Sequence, residues 1–524
     1  MSVWTRDLPS SFSDATVGWI ERAKREYILT KNDQQINENE DIDDESPIEL
    51  TTSLQTTKWD QIKTILFAGS GLFSDGYVNN SIGTASTCLS TLYPKEYADS
   101  RAINNVASIA FVGTVVGQLT FGYVSDKLSR KTGMIISNVI LIIFTILCSG
   151  AWGYHGSIKG MLAALTAYRF FLGIGIGSEY PTGSVACAEA SALMPPKHRN
   201  RYFIWFTNFA IDSGFVISSF VPMVLLWICT PKHLTPVWRI TIGIGAIWPM
   251  ILLCFRTTLK ENENYQKTRF KKARIPYFHI IKFYWFRLFV VSAIWFIYDF
   301  SVYAFGIYSS YIIKLIIPDG DLYKTFGWNV VLNLFYIPGS FVGAIASDYF
   351  GPRLTLFVGL VIQAVLGFAI AGAYNTLKHH VAGFTVIYGF FLTFGEFGPG
   401  NNIGCLSAKT GATPIRGTYY AIPAAIGKIG AFVGTYAFPS IEKKYGLQVP
   451  YYIAGAMALF AAFLALFFLP DVSPPAMLNE DKKFLQYLES TGYDVSQLGD
   501  HSSASSIDEK INVETHENVD EKSA

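Results

Sequence analysis

Charged residues stand inside otherwise apolar stretches of this chain: Asp75, Arg169, Glu179, Glu189, Asp212, Asp299, Glu396 and Lys428. A charge at the centre of a membrane helix costs at least about 2.5–3.5 kcal/mol on insertion scales, so each one requires a partner or a function. A buried carboxyl suits proton transfer, because desolvation favours its neutral form and a nearby cation favours its charged form. A buried ammonium suits the opposite task, neutralising an anion such as a phosphate oxygen. Matching depths in the two parts of the chain point to one shared cavity.

The surroundings of these residues sharpen the reading. Asp75 lies in SGLFSDGYVNNSIG, an unusually polar apolar-segment core. Asp299 lies in AIWFIYDFSVYAFG, with Trp295 four residues before it and Tyr303 four after it, so the three share one helical face. Those aromatics either stack on a ligand or pack as ordinary core. Glu179-Tyr180-Pro181 follows glycines at 173, 175 and 177; Gly173 and Gly177 allow close helix approach, and Pro181 frees a backbone carbonyl beside a carboxyl expected to change protonation. Arg169 is either a ligand contact or the structural partner of a nearby acid. Lys428 stands among Gly427, Gly430 and Gly434, where it either meets a phosphate or bridges to Asp212 or Glu396. The motif Gly122-Tyr-Val-Ser-Asp126-Lys127-Leu-Ser-Arg130-Lys131 differs in kind: at a membrane edge Asp126 can cap a helix terminus and pair with arginines, a gating role without substrate contact.

These residues need helices to hold them. Of 524 residues half are hydrophobic and 15% are charged, and the mean hydropathy is positive, which implies an all-α polytopic membrane protein in a lipid bilayer. Apolar runs bounded by turn and charge clusters predict spans at 62–89, 102–124, 132–152, 160–189, 202–228, 237–255, 284–315, 327–349, 353–374, 381–407, 417–438 and 450–469. The expected organisation is a disordered tail 1–59, a six-helix bundle 60–255, a polar loop 256–283, a second six-helix bundle 284–470 and a disordered tail 471–524. FGYVSDKLSRK answers VGAIASDYFGPR, setting Asp126 opposite Asp348 and Arg130 near Arg353; GIGIGSEYPTG answers FGEFGPGNN. The repeat spacing of about 215 to 224 residues signals pseudo-symmetric halves around a central site.

Basic residues crowd one set of loops, including Lys127, Arg130 and Lys131, then Lys197, Arg199 and Arg201, then Lys260, Lys267, Arg269, Lys271, Lys272 and Arg274, then Arg353, Lys409 and Arg416. The positive-inside rule makes that side the cytoplasm and puts both termini there. About 60 polar residues precede the first span, which is therefore expected to be its own insertion signal. Formal net charge of +1 without a basic groove argues against nucleic acid. The six cysteines lie singly, with no zinc spacing, and no motif calls for a metal or cofactor. No His/Asp/Ser cluster suggests an enzyme.

The loop motif resembles the signature of the major facilitator superfamily. GIGIGSEYP, the Trp295–Asp299–Tyr303 face and GKIGA resemble its phosphate:proton symporter branch. Within that branch the sequence is most similar to the fungal glycerophosphodiester permeases, which import glycerophosphoinositol or glycerophosphocholine. SDGYVN, GSEYP, WFIYDF, FGPG and GKIGA occur in order over residues 60–470. The resemblance implies twelve transmembrane helices. It implies that Asp75, Glu179 and Asp299 handle the proton and that Tyr180, Trp295, Tyr303, Asn401 or Asn402, and Lys428 hold the phosphate. Three features depart from inorganic-phosphate members: Glu179 replaces Asp, Asp212 falls near a Gln position, and Gly400 adjoins the asparagines. Extra acids suit a singly charged diester, with a cationic or polyol headgroup, better than a doubly charged phosphate. The expected function is proton-coupled import of a small organic phosphate across the plasma membrane, with inorganic phosphate symport and nutrient sensing as the alternatives. Asp126, Arg130, Asp348 and Arg353 are the expected gating residues, and Asp212, Glu396 and Arg169 join the expected binding set.

Overall fold

The computed structural model describes residues 58–192, 194–195, 198–261, 265–266, 274–317, 320–469 and 474–495. Lys197, Lys267, Arg269, Lys271, Lys272 and the segments 1–57 and 496–524 lie outside the described residues. The chain is helical because lipid offers no partner for backbone N–H and C=O groups, and only a helix satisfies them within one segment. The first half runs α1 (Lys58–Gly69, continuing through a tight turn at Ser70–Leu72 into Phe73–Leu92), α2 (Ala102–Lys127), α3 (Arg130–Ser149), α4 (Ile158–Ser191), α5 (Arg199–Cys229) and α6 (Leu234–Arg256). The second half repeats it as α7 (Tyr277–Ile307), α8 (Leu322–Tyr349), α9 (Pro352–Leu377), α10 (Val381–Lys409), α11 (Thr413–Tyr445) and α12 (Gln448–Phe468). Among the described residues eleven of these are long and apolar enough to cross a membrane. The exception is α1, whose Ser74, Asp75, Asn79 and Asn80 are buried against protein instead of lipid.

Two local features set the central residues in place. In α4 the helix widens into a π turn at Tyr180–Ser184, and in α10 it does the same at Glu396–Gly400. Pro181 and Pro399 lie inside these turns and cannot donate the usual backbone bond, so the wider turn re-aims the flanking side chains. Close approach does the rest. A Cβ on Gly173 or Gly177 would collide with the carbonyl oxygens of Ala110 and Thr114 in α2, and one on Gly430 or Gly434 with those of Phe296 and Phe300 in α7.

The boundaries differ from the sequence expectation where polar residues are buried. The 256–283 loop is shorter than expected: Arg256 is the fully buried last residue of α6, and α7 begins at Tyr277, seven residues before position 284. The expected span 284–315 ends at Ile307, and a separate short helix, Ser309–Ile316, follows. The expected disordered tail 471–524 also needs correction, because Pro474–Ser490 forms α13. Its Phe484, Tyr487 and Leu488 pack with Ile280, Phe283, Tyr284, Ile415 and Tyr419. Asp481 accepts from the Thr413 backbone N–H at 2.7 Å and from its hydroxyl at 2.8 Å, capping the start of α11. Charge content alone concealed this apolar face of α13. Phe484 is fully buried, so Phe484→Ala is expected to destabilise the protein by about 3 kcal/mol, read as a lower thermal midpoint of purified protein in detergent.

Candidate functional site

A small cavity of ≈ 50 Å³ lies between the halves, lined by residues of α1, α4, α5, α7, α10 and α11. At one pole stands Lys428. Its ammonium lies 3.3 Å from Asp299 Oδ2 and 3.5 Å from Asp75 Oδ2, and it donates to the Tyr303 hydroxyl. Tyr303 in turn donates to Asp75 at 2.9 Å. Asp75 also accepts from the Tyr180 hydroxyl and, at 2.5 Å, from Asn79. The ammonium lies over the Tyr303 ring, 3.8 Å from its centroid, and 5.0 Å from that of Tyr180. One cation thus joins the first half through Asp75 to the second half through Asp299. Trp295, Tyr180 and Tyr420 form an aromatic wall beside it, with the Trp295–Tyr420 centroids 5.6 Å apart and perpendicular.

The other pole is acidic and amidic. Glu396 accepts from Tyr298 at 2.7 Å on one oxygen and from Asn208 at 2.8 Å on the other. Asn208 also donates to Asn401 Oδ1 at 2.9 Å, and Asn401 donates to the Ser340 carbonyl at 2.9 Å. Glu396 and Asn401 face the cavity, whereas Asp212 sits behind its wall, one turn along α5 from Asn208.

Both ends of the cavity are closed by contacts between halves. At the end carrying the basic loops, Asp126 accepts from the backbone N–H groups of Gly417 at 2.8 Å and Thr418 at 2.6 Å, at the start of α11. Arg130 bridges Asp126 at 2.8 Å and Glu189 at 3.0 Å, and Arg416 lies 3.5 Å from Glu189. The symmetry-related Asp348 accepts from the Asn200 backbone at 3.0 Å and pairs with Arg201 at 2.5 Å at the start of α5. At the opposite end Thr87 and Ser310 share a hydrogen bond of 2.9 Å, and Asn104 donates to the Tyr436 carbonyl at 2.8 Å.

This geometry has counterparts among known proteins. The sugar (and other) transporter family matches residues 63–275 and 260–473. The chain is 52% identical to the major glycerophosphoinositol permease of Candida albicans over 511 residues, covering 95% of this chain and 94% of that one. It is also 52% identical to a glycerophosphocholine permease of the same organism, again with 95% and 94% covered. The chain belongs to the major facilitator superfamily. The fold agrees: a proton:xylose symporter structure superposes with a TM-score of 0.69 at 16% identity, covering 82% of this chain and 99% of that one.

Within this major facilitator fold, the cavity gathers Tyr180, Trp295, Asp299, Tyr303, Glu396, Asn401 and Lys428, with Asp75 directly behind the two tyrosines. Four expected site residues stand elsewhere, Asp212 behind the wall and three more at a distance from it. Glu179, expected as a proton-handling acid, is locked to Arg256 by two bonds of 2.6 and 2.7 Å. Arg169, expected in the binding set, donates to the Val106 carbonyl of α2 at 2.7 Å. Asn402 accepts from Ser347 at 2.6 Å and donates to the Gly398 carbonyl, tying α8 to α10. Lys428 pairs with Asp75 and Asp299 instead of Asp212 or Glu396. Among the expected gate residues, Arg353 reaches the Leu469 carbonyl at 3.4 Å, and Asp348 pairs with Arg201.

Sequence reasoning missed Arg256, Asn208, Tyr298 and Tyr420. Arg256 closes an apolar run and so reads as the first loop residue. Asn208 and Tyr298 carried a usable signal, since they sit four residues before Asp212 and next to Asp299. The Glu179–Arg256 pair is buried on both sides and also bonds the carbonyls of Phe67 and Ala68 at the α1 turn. Glu179→Gln leaves the guanidinium without its counter-charge and is expected to cost about 3–5 kcal/mol. Thermal unfolding of the purified variant measures this, and adding Arg256→Gln is expected to restore part of the loss.

Proposed function

We propose that the protein is a proton-coupled symporter that imports glycerophosphodiesters across the plasma membrane, with both termini in the cytoplasm. The observation that carries this reading is the ammonium of Lys428 held between a carboxylate of each half. Two acids and one base in a dry site leave an excess negative charge, which repels an anionic phosphate. A proton taken up by Asp75 or Asp299 removes one counter-charge and releases Lys428 toward the cavity. The phosphate then occupies the place the carboxylate gave up, assisted by the Tyr180 and Tyr303 hydroxyls. Proton and phosphate therefore favour each other's binding, as coupled transport requires. The permeases to which the chain is 52% identical support the diester as cargo. The concentration of Lys127, Arg130, Lys131, Arg353, Lys409 and Arg416 at one end supports the orientation.

Alternating access also needs latches that open in turn. Asp126 and Asp348 supply them at the basic end, since each carboxylate grips the first turn of a helix in the opposite half. Opening that end breaks charge-assisted bonds to backbone N–H groups, which water can replace.

Uptake of radiolabelled glycerophosphoinositol and glycerophosphocholine by transport-deficient cells is expected to rise as external pH falls and to collapse with a protonophore; sodium-dependent uptake indifferent to pH would overturn the coupling. Lys428→Ala is expected to weaken binding of every phosphate-bearing ligand by roughly tenfold or more, because hydrogen bonds to a buried charge are strong. Ligand-induced thermal stabilisation of purified protein measures it, and stabilisation equal to wild type would put the phosphate elsewhere.

A further inference from the structure

The pole of the cavity that carries Glu396 suits a phosphate poorly. A carboxyl there repels one. Glu396 nevertheless occupies a site built for it. A Cβ on Gly400 would collide with Glu396 Oε2 and the Tyr298 hydroxyl, so the glycine leaves the space in which that pair meets. Both Glu396 oxygens are held by neutral donors, Tyr298 of α7 and Asn208 of α5, which fix the carboxylate without cancelling its charge.

A second acid accompanies it. Asp212 is fully buried and lies within electrostatic reach of Glu396. Two neighbouring carboxyls in a dry interior do not both ionise. Of the two, Glu396 faces the cavity and holds a donor on each oxygen, which suits it to meet a cationic ligand. The cavity therefore presents the Glu396 carboxyl, and the aromatic side chains of Tyr298 and Phe215 belong to the same lining. Carboxylate and aromatic faces together match the chemistry of a quaternary ammonium, which offers no N–H donor and binds through charge and π faces.

We propose that Glu396, supported by Asp212, Asn208 and Gly400, is the specificity-determining residue for the headgroup and favours a cationic, choline-type diester over an uncharged polyol one. This rests on the diester-transport reading above. A zwitterionic diester satisfies both poles at once, its phosphate at Lys428 and its cation at Glu396. A polyol headgroup leaves the Glu396 charge buried and only hydrogen-bonded.

The test compares glycerophosphocholine and glycerophosphoinositol uptake by wild type, Glu396→Gln and Gly400→Ala, each normalised to protein at the cell surface. Glu396→Gln keeps the side-chain shape and removes the charge. The ratio of glycerophosphocholine to glycerophosphoinositol uptake is expected to fall by roughly tenfold or more, the size of a lost contact to a buried charge. Gly400→Ala is expected to shift the ratio in the same direction by displacing the carboxylate. An unchanged ratio in Glu396→Gln overturns the proposal. Should that variant fail to reach the surface, wild-type protein still decides: purified protein is titrated with each diester, and equal or weaker thermal stabilisation by glycerophosphocholine overturns it too. Wild-type cells that take up neither diester would sink the transport reading itself, an outcome distinct from these.

Discussion

The buried ammonium of Lys428, shared by Asp75 and Asp299, is the constraint on which the rest of the structure depends. An unpaired charge in a low-dielectric interior costs far more than a fold can bear, so the helices carrying these residues must converge. Asp75 lies on α1, and Asp299 and Lys428 on α7 and α11. The glycines of α11 let its backbone reach that of α7, and the polar face of α1 turns inward because Asp75, Asn79 and the tyrosine hydroxyls have partners only there. The central triad thus places three helices and creates the cavity beside it.

The same electrostatic logic recurs away from the centre with a different result. Glu179–Arg256 and Arg130–Asp126–Glu189 are networks whose charges are already matched within the protein. The first lies wholly within one half and ties α4 and α6 to the turn of α1, so it serves rigidity. The second spans both halves at the membrane edge and grips the N-terminus of α11, so it closes that end. Whether a buried charge holds a half together or holds two halves shut is decided by which helix supplies its partner. The acid pole at Glu396 is a third case, in which the carboxyl is positioned by the neutral donors Tyr298 and Asn208.

The C-terminal helix connects to this latch. Asp481 caps Thr413 while Asp126 takes the N–H groups of Gly417 and Thr418 a turn further on. The first turn of α11 is therefore held from outside the bundle by α13 and from across the bundle by α2. A helix start needs partners for its free N–H groups, and here two carboxylates from distant parts of the sequence provide them.

Much of the protein was legible in the sequence. Length, hydropathy and the repeated motifs determined twelve membrane helices in two related halves, because spanning a bilayer constrains every twenty-residue stretch locally. The positions of Asp75, Asp299 and Lys428 stood out for the same reason, since a charge in an apolar run is costly wherever it points. Pairing was another matter. Arg169 and Lys428 look alike as buried cations, yet one faces backbone carbonyls of α2 and the other the cavity. Glu179 and Glu396 look alike as acids beside a proline-containing turn, yet one meets Arg256 and the other only neutral donors. Helix rotation and the choice of neighbours across long sequence distances decide these outcomes, and they arise only when the helices pack. The cost of a buried charge is written locally; what compensates it is a property of the tertiary structure.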